Sequence, residues 1–163
     1  MKATSSLALL AVLALGCADR APSPAAAPAP AVASARGELQ ILVEPNPIVA
    51  HPVDGSAYEF PFTVAIRETG GSAVTIERVG IDVLSVGGLK VYSSELGPAE
   101  IERRGYRREL AANGEVRYSL RPRQQVPDES LFRSLWGELW AEGTDAGGRR
   151  ISTRTRVTLR RAP

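Results

Sequence analysis

The chain has 163 residues and a mass of 17.4 kDa, room for one domain, and at 44% hydrophobic and 23% charged it excludes wholesale disorder and a polytopic membrane protein. The 20 Lys+Arg against 18 Asp+Glu leave +2, too small a net charge to imply a nucleic-acid binder. One Cys excludes an internal disulfide framework, and one His excludes a multi-histidine metal centre.

The N-terminus reads as a targeting segment. Met1 and Lys2 supply a basic start, and Leu7 to Leu15 contain only Leu, Ala and Val. Such a run fits a signal-peptide core and falls short of the ~20 residues that span a bilayer as a helix. It ends in Leu13-Ala14-Leu15-Gly16-Cys17. This resembles the lipobox of bacterial lipoproteins in its looser form, with Ala14 and Leu15 where a Leu and then a small residue are usual. The resemblance implies cleavage before Cys17 and acylation of Cys17. Two or three acyl chains anchor stably where one binds only marginally. An ordinary secretory signal with an incidental cysteine is the alternative; the position of the lone Cys, directly after Gly16 at the end of the apolar run, weighs against it. After cleavage Ala18 follows, with Asp19 one place later. By resemblance to the enterobacterial sorting rule, that favours the outer membrane of the cell envelope.

The chain thus divides into a signal peptide (1–16), an acylated Cys17 with an Ala/Pro tether (17–36) and a folded domain (37–163). Residues 18–36 hold nine Ala and four Pro. Pro removes backbone donors and fixes φ, so neither helix nor sheet continues through this stretch. Extended at ~3.1 Å per residue it reaches about 60 Å, a spacer that lifts a domain off a membrane.

From Gly37 onward the pattern is that of short strands. Leu39, Ile41 and Val43 form a half-buried strand stopped by Pro45-Asn46-Pro47. After a turn at Asp54-Gly55-Ser56, Tyr58 to Glu68 places Phe60, Phe62, Val64 and Ile66 on one parity. Pro61 inside that run predicts an edge strand or a late start. Val74 and Ile76 share one parity and Val79, Ile81 and Val83 the other, which predicts a β-bulge or break at Glu77-Arg78. Gly87-Gly88 turns the chain into Leu89 to Ser93. Tyr106 to Leu110 and Val116 to Leu120 flank Asn113-Gly114, a strong hairpin signal. Pro127-Asp128-Glu129-Ser130 suits the start of one helical turn. Leu135 to Glu142 and Arg149 to Arg160 close the chain as a pair. Turn signals at this spacing predict an all-β, antiparallel sandwich of seven to nine strands.

The closing pair, joined by Gly143-Thr144-Asp145-Ala146-Gly147-Gly148, resembles the last hairpin of Ig-like and fibronectin type III-like modules. Val64 to Gly71 with Val74-Thr75-Ile76 resembles an early hairpin of such modules. The resemblance spans about residues 39–160, lacks the Ig cysteine pair and implies architecture only, because this fold hosts many functions.

Catalytic readings are weak. His51, Asp54 and Ser56 lie within six residues, but a Ser-His-Asp triad needs side chains converging from separate elements, and a solvated loop fits better. Asp145 in its Gly-rich turn offers weak Ca²⁺ ligation or, more simply, a cap on its own backbone. No phosphate-binding glycine loop precedes a helix. The expectation is a protein with no enzymatic activity, cofactor or metal.

Charge is uneven. Residues 37–100 carry three basic against nine acidic side chains, a net of −6, and residues 101–163 carry fourteen against eight, a net of +6. In a sandwich that interleaves the halves, such charges can meet as cross-strand pairs. The last hairpin supplies the candidate contact face. Ile151, Thr153, Thr155, Val157 and Leu159 should face the core. With Leu139 opposite Thr155, Trp140 lies opposite Arg154 and Glu138 opposite Arg156. That register exposes Trp136, Glu138, Trp140, Arg154 and Arg156, residue types enriched at binding hot spots. A register slipped by one would bury both Trp instead. The sequence therefore predicts a lipid-anchored binding or adhesion module, with an envelope protein or an anionic glycan as partner and no nucleic acid. A structural accessory subunit of an envelope assembly is the alternative.

Overall fold

The computed structural model describes residues 35–163; the signal peptide, Cys17 and nearly all of the tether lie outside the described residues. In chain order the strands are β1 (Leu39–Glu44), β2 (Ile48–Asp54), β3 (Ala57–Glu59), β4 (Phe62–Glu68), β5 (Val74–Leu84), β6 (Lys90–Leu96), β7 (Glu109–Leu110), β8 (Glu115–Leu120), β9 (Arg123–Gln125), β10 (Trp136–Asp145) and β11 (Arg150–Arg161). Helix α1 (Pro98–Arg103) precedes β7, and a 3-10 helix (Glu129–Arg133) precedes β10.

The protein is mostly β. A three-stranded sheet runs β1-β4-β8, and a larger one runs β6-β5-β10-β11-β2-β3-β9, with β7 added against β5. All pairs are antiparallel except β11 with β2, which run parallel over Leu159–Arg161. The larger sheet curls, so that β1 of the smaller one packs beside β11. Between the layers lies one apolar cluster that includes Ile48, Phe60, Phe62, Val64, Ile66, Ile76, Ile101, Tyr118, Leu139 and Val157. Alternation explains it: in β10 every second residue from Gly137 to Asp145 is buried, and its neighbours stay partly open. Tyr118 is wholly buried, and its hydroxyl donates to the Arg107 carbonyl at 2.9 Å. Burial pushes its pKa up to about 12.

The parity switch at Glu77-Arg78 is a bulge. Arg78 pairs with Glu142 and Ile76 with Gly143, so Glu77 is the extra residue. The backbones approach closely there, and a Cβ on Gly143 would lie 2.5 Å from the Thr75 carbonyl oxygen. The short helical turn forms as expected, with the Asp128 side chain accepting from the Ser130 N–H at 2.8 Å.

Other expectations change. Tyr58 to Glu68 is two strands, because the chain leaves the larger sheet at Phe60-Pro61 and enters the smaller one at Phe62. The late start is as read, but β4 is the central strand of its sheet rather than an edge. His51 to Asp54, read as part of a solvated loop, belong to strand β2, whose apolar alternation lasts only from Ile48 to Ala50. The segments around Gly70-Gly71 and Asn113-Gly114 are not hairpins. In each, the flanking strands pair in different sheets, β4 with β1 and β8, β7 with β5. Asn113 does take the expected left-handed backbone, φ 58°. The short β3, β7 and β9 raise the strand number to eleven.

Candidate functional site

The outer face of β5, β10 and β11 brings the predicted residues together. Trp140 lies opposite Arg154, Glu138 opposite Arg156 and Leu139 opposite Thr155, the register expected from the sequence. Both Trp side chains are half-buried and neither enters the core. Side chains lean diagonally across the pairs. The Arg156 guanidinium sits 4.1 Å from the Trp136 ring centroid, a stack of about 0.5–1 kcal/mol at an exposed site. Arg154 Nη1 meets Glu138 Oε1 at 2.6 Å instead of stacking on Trp140.

On the other flank β5 completes the face, which the sequence reading missed. The bulge at Glu77 moves Arg78 to the outer side, where its Nη2 meets Glu142 at 2.5 Å and its guanidinium lies 5.7 Å from the Trp140 centroid. The hydrogen bond from Arg78 to Glu142 raises the Arg78 pKa further above its ordinary value. Gly80 lies opposite Trp140, and a methyl there would overlap the indole, so the ring lies flat over the β5 backbone. Asp82, opposite Glu138, is buried. Burial acts to raise its pKa, but hydrogen bonds from Lys90 (2.8 Å) and Ser93 (2.6 Å), with the charges of Lys90 and Arg154, hold it below the ordinary carboxylate value. Alternate positive and negative side chains thus lock the two indoles in place. The only earlier hint of β5's part was the parity switch.

The remaining candidates lie elsewhere. His51, Asp54 and Ser56 are exposed around β2 and its turn, and Ser56 Oγ donates to Gln125 Oε1 at 2.6 Å rather than toward His51. Asp145 Oδ1 accepts from the backbone N–H groups of Gly147 (3.0 Å) and Arg149 (2.9 Å), and Oδ2 meets Arg149 Nη2 at 2.9 Å and the Gly37 N–H at 3.2 Å. These bonds occupy its oxygens as a turn cap does. Among the described residues no group of three or more His, Cys, Asp or Glu side chains is placed to hold a metal ion. Two pairs join the acidic and basic halves as read, Arg123 with Glu59 at 3.2 Å and Arg117 with Glu44 at 3.6 Å, whereas Arg78–Glu142 and Arg67–Glu115 pair the halves in the opposite sense and leave the asymmetry uncancelled.

Nothing in the sequence pattern pointed to an opening beside the core. An apolar hollow of about 290 Å³ lies between Phe60, Ile81 and Val83 on one side and the Pro122–Leu135 segment on the other. Phe132 forms part of its wall, edge-on to Tyr58 at 5.1 Å between ring centroids. A second hollow of about 180 Å³ shares Phe62, Ile81 and Pro122 with the first and reaches Arg104 and Arg121. The first hollow alone is lined from seven separate elements, which no local pattern connects.

No family model and no curated protein sequence matches the chain. Among solved structures, an ApaA protein from Bordetella pertussis is similar in fold, with a TM-score of 0.52 at 17% identity over 76% of this chain and 94% of that one. A structural-genomics target, SoR45, aligns at TM-score 0.48 and 13% identity over 76% of this chain and 86% of that one. The CARDB domain of a Pyrococcus furiosus protein, solved in complex with di-metal ions, aligns at 0.37 and 12% identity over 76% and 88% of the two chains. Only the first reaches a similarity that speaks to fold, and at that identity it speaks to fold alone.

Proposed function

We propose that this chain is a cell-envelope lipoprotein, held in the outer membrane through acylated Cys17, whose Ig-like β-sandwich is a non-catalytic binding module for another envelope protein. The observation that carries the binding role is the outer face of β5, β10 and β11. Two half-buried indoles are fixed there by Arg156, Arg78 and the Gly80 backbone, in a rigid and partly apolar patch. Held aromatic and Arg side chains lose little freedom on binding, which is why they dominate contact energies. Arg154 and Arg78 are already neutralised by Glu138 and Glu142, so the face suits a protein surface better than a polyanionic glycan. The anchor rests on the lipobox resemblance at Leu13–Cys17, and the Ala/Pro tether supplies the reach. The Ig-like reading rests on two β layers around one core.

Two measurements test this. A fatty-acid probe fed to cells should label the wild type and not Cys17→Ala, and the variant should leave the membrane fraction; labelling of the variant sinks the anchor. A photocrosslinker at exposed Ser152, on the rim of the face, should trap one defined envelope protein, whereas one at exposed Ser119 on the smaller sheet should not. No product from Ser152, or equal products from both, overturns the binding face.

A further inference from the structure

The two adjoining hollows differ in chemistry. The larger is walled by Phe60, Ile81, Val83, Leu131, Phe132 and Leu135, and no charged side chain lines it; its polar residues, Tyr92, Gln124 and Gln125, are half-buried or exposed. The smaller shares Phe62, Ile81 and Pro122 with it and ends at two exposed arginines, Arg104 and Arg121. Arg104 bonds Glu100 at 2.6 Å, while Arg121 has no ion pair among the described residues. Two acids lie at this end, Glu100 held by Arg104 and Arg103, and Glu95 in the lining 3.8 Å from Arg78, which leaves Arg121 as the unpaired charge among the described residues. Next to the larger hollow the β5–β6 turn exposes Val86 (77%) and Leu89 (70%), and Val91 lines the opening. Exposed aliphatic side chains beside an apolar hollow make a continuous apolar approach, and such patches mark interaction sites.

We infer that these two adjoining hollows bind a single-chain anionic amphiphile, a long-chain fatty acid, with the hydrocarbon in the Phe60–Phe132 hollow and the carboxylate at Arg121, beside Arg104. Apolar walls take the chain because burying each methylene out of water contributes ~0.8 kcal/mol. The free guanidinium of Arg121 gives the head group its partner and sets the direction of binding. A carboxylate at the Gln124 end would meet no charge, so the ligand enters tail toward Phe132. This inference is independent of whether the outer Trp face binds protein.

The test uses the full chain carrying Cys17→Ala, so that no acyl group of its own competes. The probe is cis-parinaric acid, which fluoresces on entering an apolar site, with its methyl ester as the uncharged comparison. The acid should bind in a saturable way and be displaced by myristate. Arg121→Glu should weaken the acid about five-fold, the scale of one exposed ion pair, and leave the ester unchanged. Leu131→Trp, which adds bulk to a half-buried wall position, should abolish binding of both. Circular dichroism of each variant separates a filled hollow from a lost fold. If Leu131→Trp unfolds, Val91→Trp at the more exposed opening takes its place. Absence of saturable binding overturns the inference. So does acid binding that Arg121→Glu leaves unchanged, or binding that survives a filled and folded hollow.

Discussion

At the end of the domain where the chain enters β1, Glu68 is 2% exposed and accepts four backbone N–H groups, from Glu38 (3.2 Å), Gly70 (2.7 Å), Gly71 (3.0 Å) and Asn113 (2.8 Å). On the outer face of β10, Glu138 is also a strand glutamate, but it is partly open and meets one exposed partner, Arg154. The residue type is the same and the consequence is different. Glu68 ties the chain entry, the β4–β5 connection and the β7–β8 connection into one knot, because its buried carboxylate accepts from four part-buried backbone donors on three separate segments. Glu138 takes part in a surface ladder whose pairs each contribute little to stability and whose value lies in holding indoles in place. Burial and the kind of donor, not the carboxylate itself, decide which role a residue has.

Substitution at the knot should therefore have the largest effect. Glu68→Ala removes four part-buried hydrogen bonds to a charged acceptor, a kind of bond that contributes roughly 1.5–3 kcal/mol, less where water reaches the freed donor. A loss of at least about 3 kcal/mol is expected, lowering the thermal midpoint by roughly 10 °C for a domain of this size. A loss under 1 kcal/mol in a denaturant titration would erase the contrast with Glu138.

Acid should reveal the same residue. Burial acts to raise the Glu68 pKa, but the hydrogen bonds from Asn113, Glu38, Gly70 and Gly71 outweigh it and hold the carboxyl below its ordinary value. The unfolded chain thus binds this proton more readily than the folded one. The Glu68 contribution is complete above the ordinary Glu pKa of about 4.3 and is lost as pH falls through the lower folded value. Glu68→Gln, which carries no titrating proton, should flatten the fall in stability below pH ~4. An unchanged acid limb would show that other carboxylates govern it.

A smaller effect is expected at Gly80. Gly80→Ala puts a methyl where the Trp140 indole lies, so the ring must tilt off β5 at a cost of about 1–3 kcal/mol. Iodide quenching of Trp fluorescence should increase. Unchanged quenching would mean the indole is not held by the backbone beneath it.

The smallest change belongs to the ladder. Glu138→Ala and Arg154→Ala should each shift stability by no more than about 1 kcal/mol, and their double mutant should show a coupling in the same range. A coupling well above that would make the outer face a stabilising network, like the knot, and not a surface open to a partner.

Much of this was legible where the signal is local. The period-two alternation of β10 and β11 sets which residues share a face, so the register that makes the Trp136–Arg156 face was one of two the sequence left open, and strand pairing chose it. The parity switch at Glu77 located the bulge for the same reason. The capped turn at Asp128 and the left-handed Asn113 also follow from the side chains at hand.

What the tertiary structure alone decided is which strands pair. A turn such as Gly70-Gly71 or Asn113-Gly114 reverses the chain equally well within one sheet or across two, and its local energetics do not distinguish them. Packing of β4 between β1 and β8, and of β7 onto β5, made that choice through contacts far apart in sequence. The parallel meeting of β11 with β2, the burial of Asp82 and Glu68, and the apolar hollow under the Pro122–Leu135 segment have the same origin. Side-chain period is fixed by neighbours in the chain, whereas burial, hydrogen-bond partners and cavities exist only once distant segments share one core.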